Sequence, residues 1–185
     1  MAEDDPLQPA SAYDLSHVDE ADTRATFSVL VDNEPGVLHR VVGMFSARGY
    51  NIESLTVAET DRAAHTSRIT IVTRGAAHVL EQIRAQLEKM VQVRQVADVA
   101  RDIRGVEREL ALVKVRGDGE KRAEALRIAD IFRAHVIDTT HESFIFELTG
   151  PPSKIDQFAD LMRPLGLVEM SRTGVLSIIR GKERG

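Results

Sequence analysis

From Ala25 onward the chain alternates. Phe27, Val29 and Val31 are interleaved with Ser28, Leu30 and Asp32, which predicts a strand with one strongly apolar face. Asn33-Glu34-Pro35-Gly36 then supplies a capping side chain and a proline suited to a first helical turn. Leu38, Val41, Val42 and Phe45 follow at helical spacing, and Gly49 closes the helix. An extended run from Asn51 to Glu59, a polar turn at 61–64 and a β-rich run from Ser67 to Thr73 read as a hairpin. Leu80, Ile83, Leu87 and Met90 mark a second helix, and Val91, Val93 and Val96 a fourth strand.

The order β-α-β-β-α-β is the plan of a ferredoxin-like unit, an antiparallel sheet with two helices on one face. A charged connector, 101–108, leads into a second pass through the same order. Leu110–Val115 is predicted as a strand, and 120–134 as a helix with apolar positions Leu126, Ile128, Ile131 and Phe132. Val136–Thr140 and Phe144–Leu148 read as strands, Ile155, Phe158, Met162 and Leu165 as a helix, and Val175–Ile179 as the last strand. The expected fold class is therefore α+β: two ferredoxin-like domains at 25–100 and 109–185, joined by 101–108. Residues 1–24, which show no sustained apolar period, are expected to be a disordered acidic tail.

Charge sharpens that division. The 185 residues carry 29 acids and 24 bases. Seven of the acids lie in residues 1–24 against Arg24 alone, which leaves 22 acids and 23 bases for the rest. A body so close to neutral does not have the basic character of a nucleic-acid binder. With no cysteine, disulfide scaffolds, thiolate zinc sites and thiol nucleophiles are excluded. No run is long and apolar enough to span a bilayer, and the start Met-Ala-Glu-Asp-Asp-Pro has no secretory character, so a cytoplasmic location is expected.

Most candidate chemistry fails on spacing. The six histidines never fall in a metal-ligand pattern. Gly117-Asp118-Gly119 resembles the opening of a thiamine-diphosphate magnesium motif, but the asparagines that should follow are absent, since Asn33 and Asn51 both lie upstream; a turn is the better account. No phosphate-binding glycine loop or nucleophile elbow is present. The aliphatic Ile69 and Ile71 offer little for stacking RNA bases.

The exception is the segment from Asp32 to Leu38. It stands where a strand hands over to a helix, so free backbone N–H groups and the positive end of the helix dipole point outward. Gly36 permits close approach, and Asn33 adds a donor and an acceptor. Such a place suits a carboxylate, although for these seven residues alone a capped helix with no ligand is the preferred account.

A longer string changes the weighting. Asn33-Glu34-Pro35-Gly36-Val37-Leu38, then Phe45-Ser46-Ala47-Arg48-Gly49-Tyr50-Asn51-Ile52-Glu53-Ser54-Leu55, and then Ser67-Arg68-Ile69-Thr70-Ile71-Val72 closely resemble the ACT domain of acetolactate synthase (acetohydroxyacid synthase) small subunits. Residues 107–115, 131–138 and 171–175, with Arg180-Gly181, resemble that family's second domain. The resemblance implies a non-catalytic regulatory subunit with no cofactor of its own. Its partner would be a catalytic large subunit carrying thiamine diphosphate, magnesium and FAD, whose activity it raises. It would confer feedback inhibition by a branched-chain amino acid, valine foremost, and would pair as a homodimer through its ACT domains. It also implies an effector site made of Asn33, Gly36, Val37 and Leu38 from one chain and Asn51 and Ile52 from the other, with the 36–38 backbone on the carboxylate. An ACT-type amino-acid sensor acting on a different enzyme is the alternative.

Overall fold

The computed structural model describes residues 22–181; most of the expected acidic tail lies outside them. The first unit runs β1 (Thr23–Asp32), α1 (Val37–Ala47), β2 (Ser54–Asp61), β3 (Thr66–Gly75), α2 (Ala77–Glu88) and β4 (Val93–Asp98). Its sheet has the order β2-β3-β1-β4 with every neighbour antiparallel. Phe27, Val29 and Val31 on β1 and Ile69 and Ile71 on β3 point to one face. Val41 and Phe45 of α1 and Leu80, Ile83 and Leu87 of α2 press onto them. The i, i+4 spacing on α1 and the i, i+3, i+7 spacing on α2 are what let each helix bury one stripe. Gly49, at φ +69°, ends α1 in the left-handed region, and Tyr50 turns back so that its ring meets Phe45 edge-on at 6.1 Å.

The second unit repeats the plan: β5 (Gly105–Arg116), α3 (Gly119–Phe132), β6 (His135–Thr139), β7 (Ser143–Gly150), α4 (Pro152–Gly166) and β8 (Leu167–Arg172), in the order β6-β7-β5-β8. Phe146 and Phe158, fully buried, meet at 6.0 Å in its core. A final strand, β9 (Leu176–Ile179), pairs with Gly105–Arg108 at the start of β5.

Three expectations are corrected here. The fourth strand of the second unit is β8, not 175–179, because 175–179 leaves the sheet to form a separate ladder with the first residues of β5. For the same reason half of the expected connector is strand. In α3 the buried stripe is Ala125, Ile128 and Ala129, whereas Leu126 and Ile131 stand 39% and 69% exposed. Ile128 and Phe132 meet the core as expected, and the small Ala125 and Ala129, not Leu126 and Ile131, complete the inward side.

The far face of the first sheet is covered as well. Thr26, Ser28, Thr70 and Val72, on the side away from the helices, are all buried. The second unit supplies the cover. Arg24 pairs with Glu107 at 2.8 Å, Ser54 Oγ accepts from the Val175 N–H at 3.1 Å, and Thr56 Oγ1 donates to the Thr173 carbonyl. Gly174, at φ +81°, lets the chain approach this closely, since a Cβ there would fall 2.7 Å from Ser54 Oγ. The turn before β5 is held by Asp102, which accepts from the Arg104 backbone N–H and guanidinium at 2.8–3.1 Å.

Two outcomes follow from this junction. Among the described residues Thr26 Oγ1 is buried without a hydrogen-bond partner, so Thr26→Val keeps the shape, removes an unsatisfied oxygen and is expected to raise stability by about 1 kcal/mol in urea unfolding. The Arg104 hydrogen bonds hold the Asp102 carboxyl at about 2, below its ordinary 3.8. A depressed carboxylate pKa contributes stability that is present above the unfolded value and lost as pH falls toward about 2. A carboxyl-carbon NMR titration is expected to place Asp102 at that low midpoint in the native chain and to return it to the ordinary range in Arg104→Ala.

Candidate effector site at the start of the first helix

The turn between β1 and α1 is tied at its root. The Asp32 N–H donates to the Gln92 carbonyl at 2.9 Å, and Asp32 Oδ1 accepts from Arg94 at 2.6 Å. The Asn33 N–H donates to the His65 carbonyl at 2.7 Å. These contacts fix the end of β1 against β4 and the β2–β3 turn and leave the next residues exposed.

Gly36, not Asn33, is the N-cap. It sits at φ +85°, and no side chain caps the helix. Asn33 instead points its amide toward Glu59 at 3.4 Å, because its own backbone is still paired as an extension of β1. The Val37 N–H reaches the Glu34 carbonyl at 3.3 Å, and the Arg40 N–H reaches Gly36 at 3.0 Å. Between them, the N–H groups of Gly36, Leu38 and His39 have no acceptor among the described residues. Three outward donors at the positive end of an 11-residue helix form a cradle for an anion. A Cβ on Gly36 would meet nothing within 4 Å, so the space in front of the cradle is open.

The six expected residues divide. Asn33, Gly36 and Leu38 are exposed at the turn, but the Val37 side chain is 7% exposed and belongs to the core, leaving only its backbone in the turn. Asn51 and Ile52 lie in the connection between α1 and β2, ahead of the strand. The Asn51 carbonyl accepts from the buried Thr73 hydroxyl at 2.6 Å, its side chain is exposed, and Ile52 packs on the core edge. The two groups stand at opposite ends of α1, which at 1.5 Å per residue is about 16 Å long. One chain does not bring them onto one small ligand. The His39 N–H was missed by sequence reasoning, and the signal for it was the Pro35-Gly36 pair, which moves the helix start three residues on from where an Asn33 cap would put it.

The other candidates resolve into structure. Asp118 of Gly117-Asp118-Gly119 is the residue before α3, and its carbonyl accepts from the Arg122 N–H at 3.2 Å as that helix begins. Among the described residues, no group of three or more His, Asp or Glu side chains is placed to hold a metal ion, and no helix is long and apolar enough to cross a membrane.

A βαββαβ sheet with a glycine-capped turn after its first strand is the plan of an ACT-type unit, followed here by a second unit of like topology. A family model described as an AHAS small subunit-like ACT domain matches residues 27–95, and one described as the small subunit of acetolactate synthase matches residues 108–181. The chain is 45% identical over 159 residues to a probable acetolactate synthase small subunit of Archaeoglobus fulgidus, an alignment covering 86% of this chain and 98% of that one. It is 46% identical over 159 residues to the isozyme 3 small subunit of Escherichia coli, covering 85% and 96%. The crystal structure of the small subunit from Thermotoga maritima superposes with a TM-score of 0.76 at 37% identity, covering 86% of this chain and 99% of that one. The chain belongs to the family of acetolactate synthase small (regulatory) subunits.

In the chain without effector, the amide protons of Gly36, Leu38 and His39 are expected to exchange with solvent at nearly unprotected rates, while that of Val41, one turn further on, is slowed by the helix. Hydrogen-exchange NMR checks the contrast.

Proposed function

We propose that this chain binds the thiamine-diphosphate-dependent large subunit of acetolactate synthase, raises its activity, and makes it sensitive to feedback inhibition by valine or a related branched-chain amino acid. Thiamine diphosphate, magnesium and FAD belong to the large subunit in this reading. Effector binding falls to residues 25–100, with 101–108 joining them to a second domain at 109–185. The observation that carries it is the set of three unpartnered N–H groups at Gly36, Leu38 and His39.

An amino acid needs an anion cradle, a polar partner for its ammonium group and an apolar wall. The N–H groups of Gly36, Leu38 and His39 supply the first. Asn33 and, from the second chain, Asn51 supply polar oxygens. Leu38, with its exposed side chain, and Ile52 of the second chain supply the wall. The separation of the two groups along α1 supports a homodimer of ACT units, because only a second copy places Asn51 and Ile52 opposite the turn. A ligand shared by two chains stabilises their pairing by mass action and disfavours whatever arrangement of the complex separates them; inhibition is then a coupling free energy between the effector site and the catalytic subunit.

The test is reconstitution with the large subunit and titration with valine, leucine and isoleucine. Asn33→Ala is expected to weaken inhibition about tenfold, the worth of one hydrogen bond to a charged group. Gly36→Asp is expected to abolish it by setting a carboxylate against that of the effector. Both variants should still stimulate the large subunit. Full valine inhibition of the Gly36→Asp complex would contradict the site, and failure of the native chain to stimulate any acetolactate synthase large subunit would contradict the function.

A further inference from the structure

The face of the first sheet turned away from α1 and α2 carries Ser28 and Leu30 on β1 and Arg68 on β3, and the end of the chain, β9 with Arg180, closes over it. Between them lies a cavity of about 340 Å³. Its walls are mixed. Leu30, Val99 and Ile178 are aliphatic, Gln95 brings an amide, and Arg68, Arg104 and Arg180 bring guanidinium groups, whereas among the described residues no Asp or Glu lines it. Arg104 is neutralised by Asp102 at 2.8 Å. Arg68 donates to Ser28 Oγ at 2.9 Å and has no carboxylate partner among the described residues, and neither has Arg180. Among the described residues, two positive charges therefore border the cavity without a counter-charge.

Uncompensated guanidinium groups in a partly enclosed space attract an oxyanion and bind it with charge-assisted hydrogen bonds. The aliphatic wall favours an anion with an apolar body. The lack of any acid among the described lining residues discriminates further, since an ammonium group brought here would lose water and gain no carboxylate to pair with. Ser28, only 4% exposed, accepts from Arg68 and keeps its own O–H to donate to a ligand oxygen. We propose that this cavity is a second small-molecule site, separate from the turn at Gly36, for a short aliphatic carboxylate that carries no amino group. Its walls come from both units, so occupancy strengthens the docking of the second unit on the first.

The test uses the full-length chain with labelled methyl groups, titrated in parallel with isovalerate, valine and inorganic phosphate. Isovalerate is expected to shift the Leu30 and Ile178 methyl resonances saturably and to raise the melting temperature, and valine and phosphate to leave those methyl resonances unshifted. Arg68→Gln and Arg180→Gln are each expected to weaken isovalerate binding about tenfold or more, and Gly36→Asp to leave it unchanged. Arg180 is exposed at the end of the described chain, so its variant keeps the test available should Arg68→Gln not fold. No saturable shift at Ile178 with isovalerate, equal binding of valine or phosphate, or unaltered affinity in Arg180→Gln would overturn the proposal. Loss of isovalerate binding in Gly36→Asp would overturn it too, by placing the ligand at the other site.

Discussion

A single left-handed residue sets where the first helix begins. At φ +85°, Gly36 turns the chain out of β1 and into α1 without a side-chain cap, so the first amides of the helix face solvent. Almost any other residue is strained in that conformation, and a side-chain cap would have occupied a donor that the turn leaves free. The rest of the first unit holds this turn in place. β1 is buried on both faces, its end is clamped by Arg94 and by the β2–β3 turn, and Val37, Val41 and Phe45 fix the helix on the sheet. The site is a backbone feature on a rigid support, which suits a ligand recognised mainly by its carboxylate.

The second unit does more than repeat the first. By covering Thr26, Ser28 and Thr70, it turns a sheet face that would otherwise be wetted into an internal boundary. The boundary is polar, with the Arg24–Glu107 ion pair and hydrogen bonds to Ser54 and Thr56 rather than a shared apolar core. Polar boundaries of this kind are the ones across which units shift relative to each other, which gives a regulatory protein a route between a ligand at one place and a partner at another.

Much of this was legible in the chain. The first unit was read element by element because its signals are local: alternation in β1, helical spacing in α1 and α2, Gly49 at the helix end. The features that were missed are non-local. Gly105–Arg108 reads as a charged connector because its partner strand lies some 70 residues away at 176–179. Edge strand β8, with Val168 and Glu169 exposed, carries too little apolar alternation to announce itself. Ser28 looks like an outward residue until the second unit covers it. At the turn, Asn33, Gly36 and Leu38 stand exposed. The cap was assigned to Asn33 because a side-chain oxygen is the commoner device, and Val37 was counted as a ligand wall although its side chain is drawn into the core.

The most direct measurement of the central claim is a crystal structure of the full-length chain grown with valine. The account predicts valine at two equivalent sites in each pair of protomers, its carboxylate within hydrogen-bond reach of the Leu38 and His39 N–H groups of one chain and its other end beside the Asn51 and Ile52 of the second. Valine bound elsewhere, with those N–H groups turned to solvent or covered by another part of the protein, would contradict it.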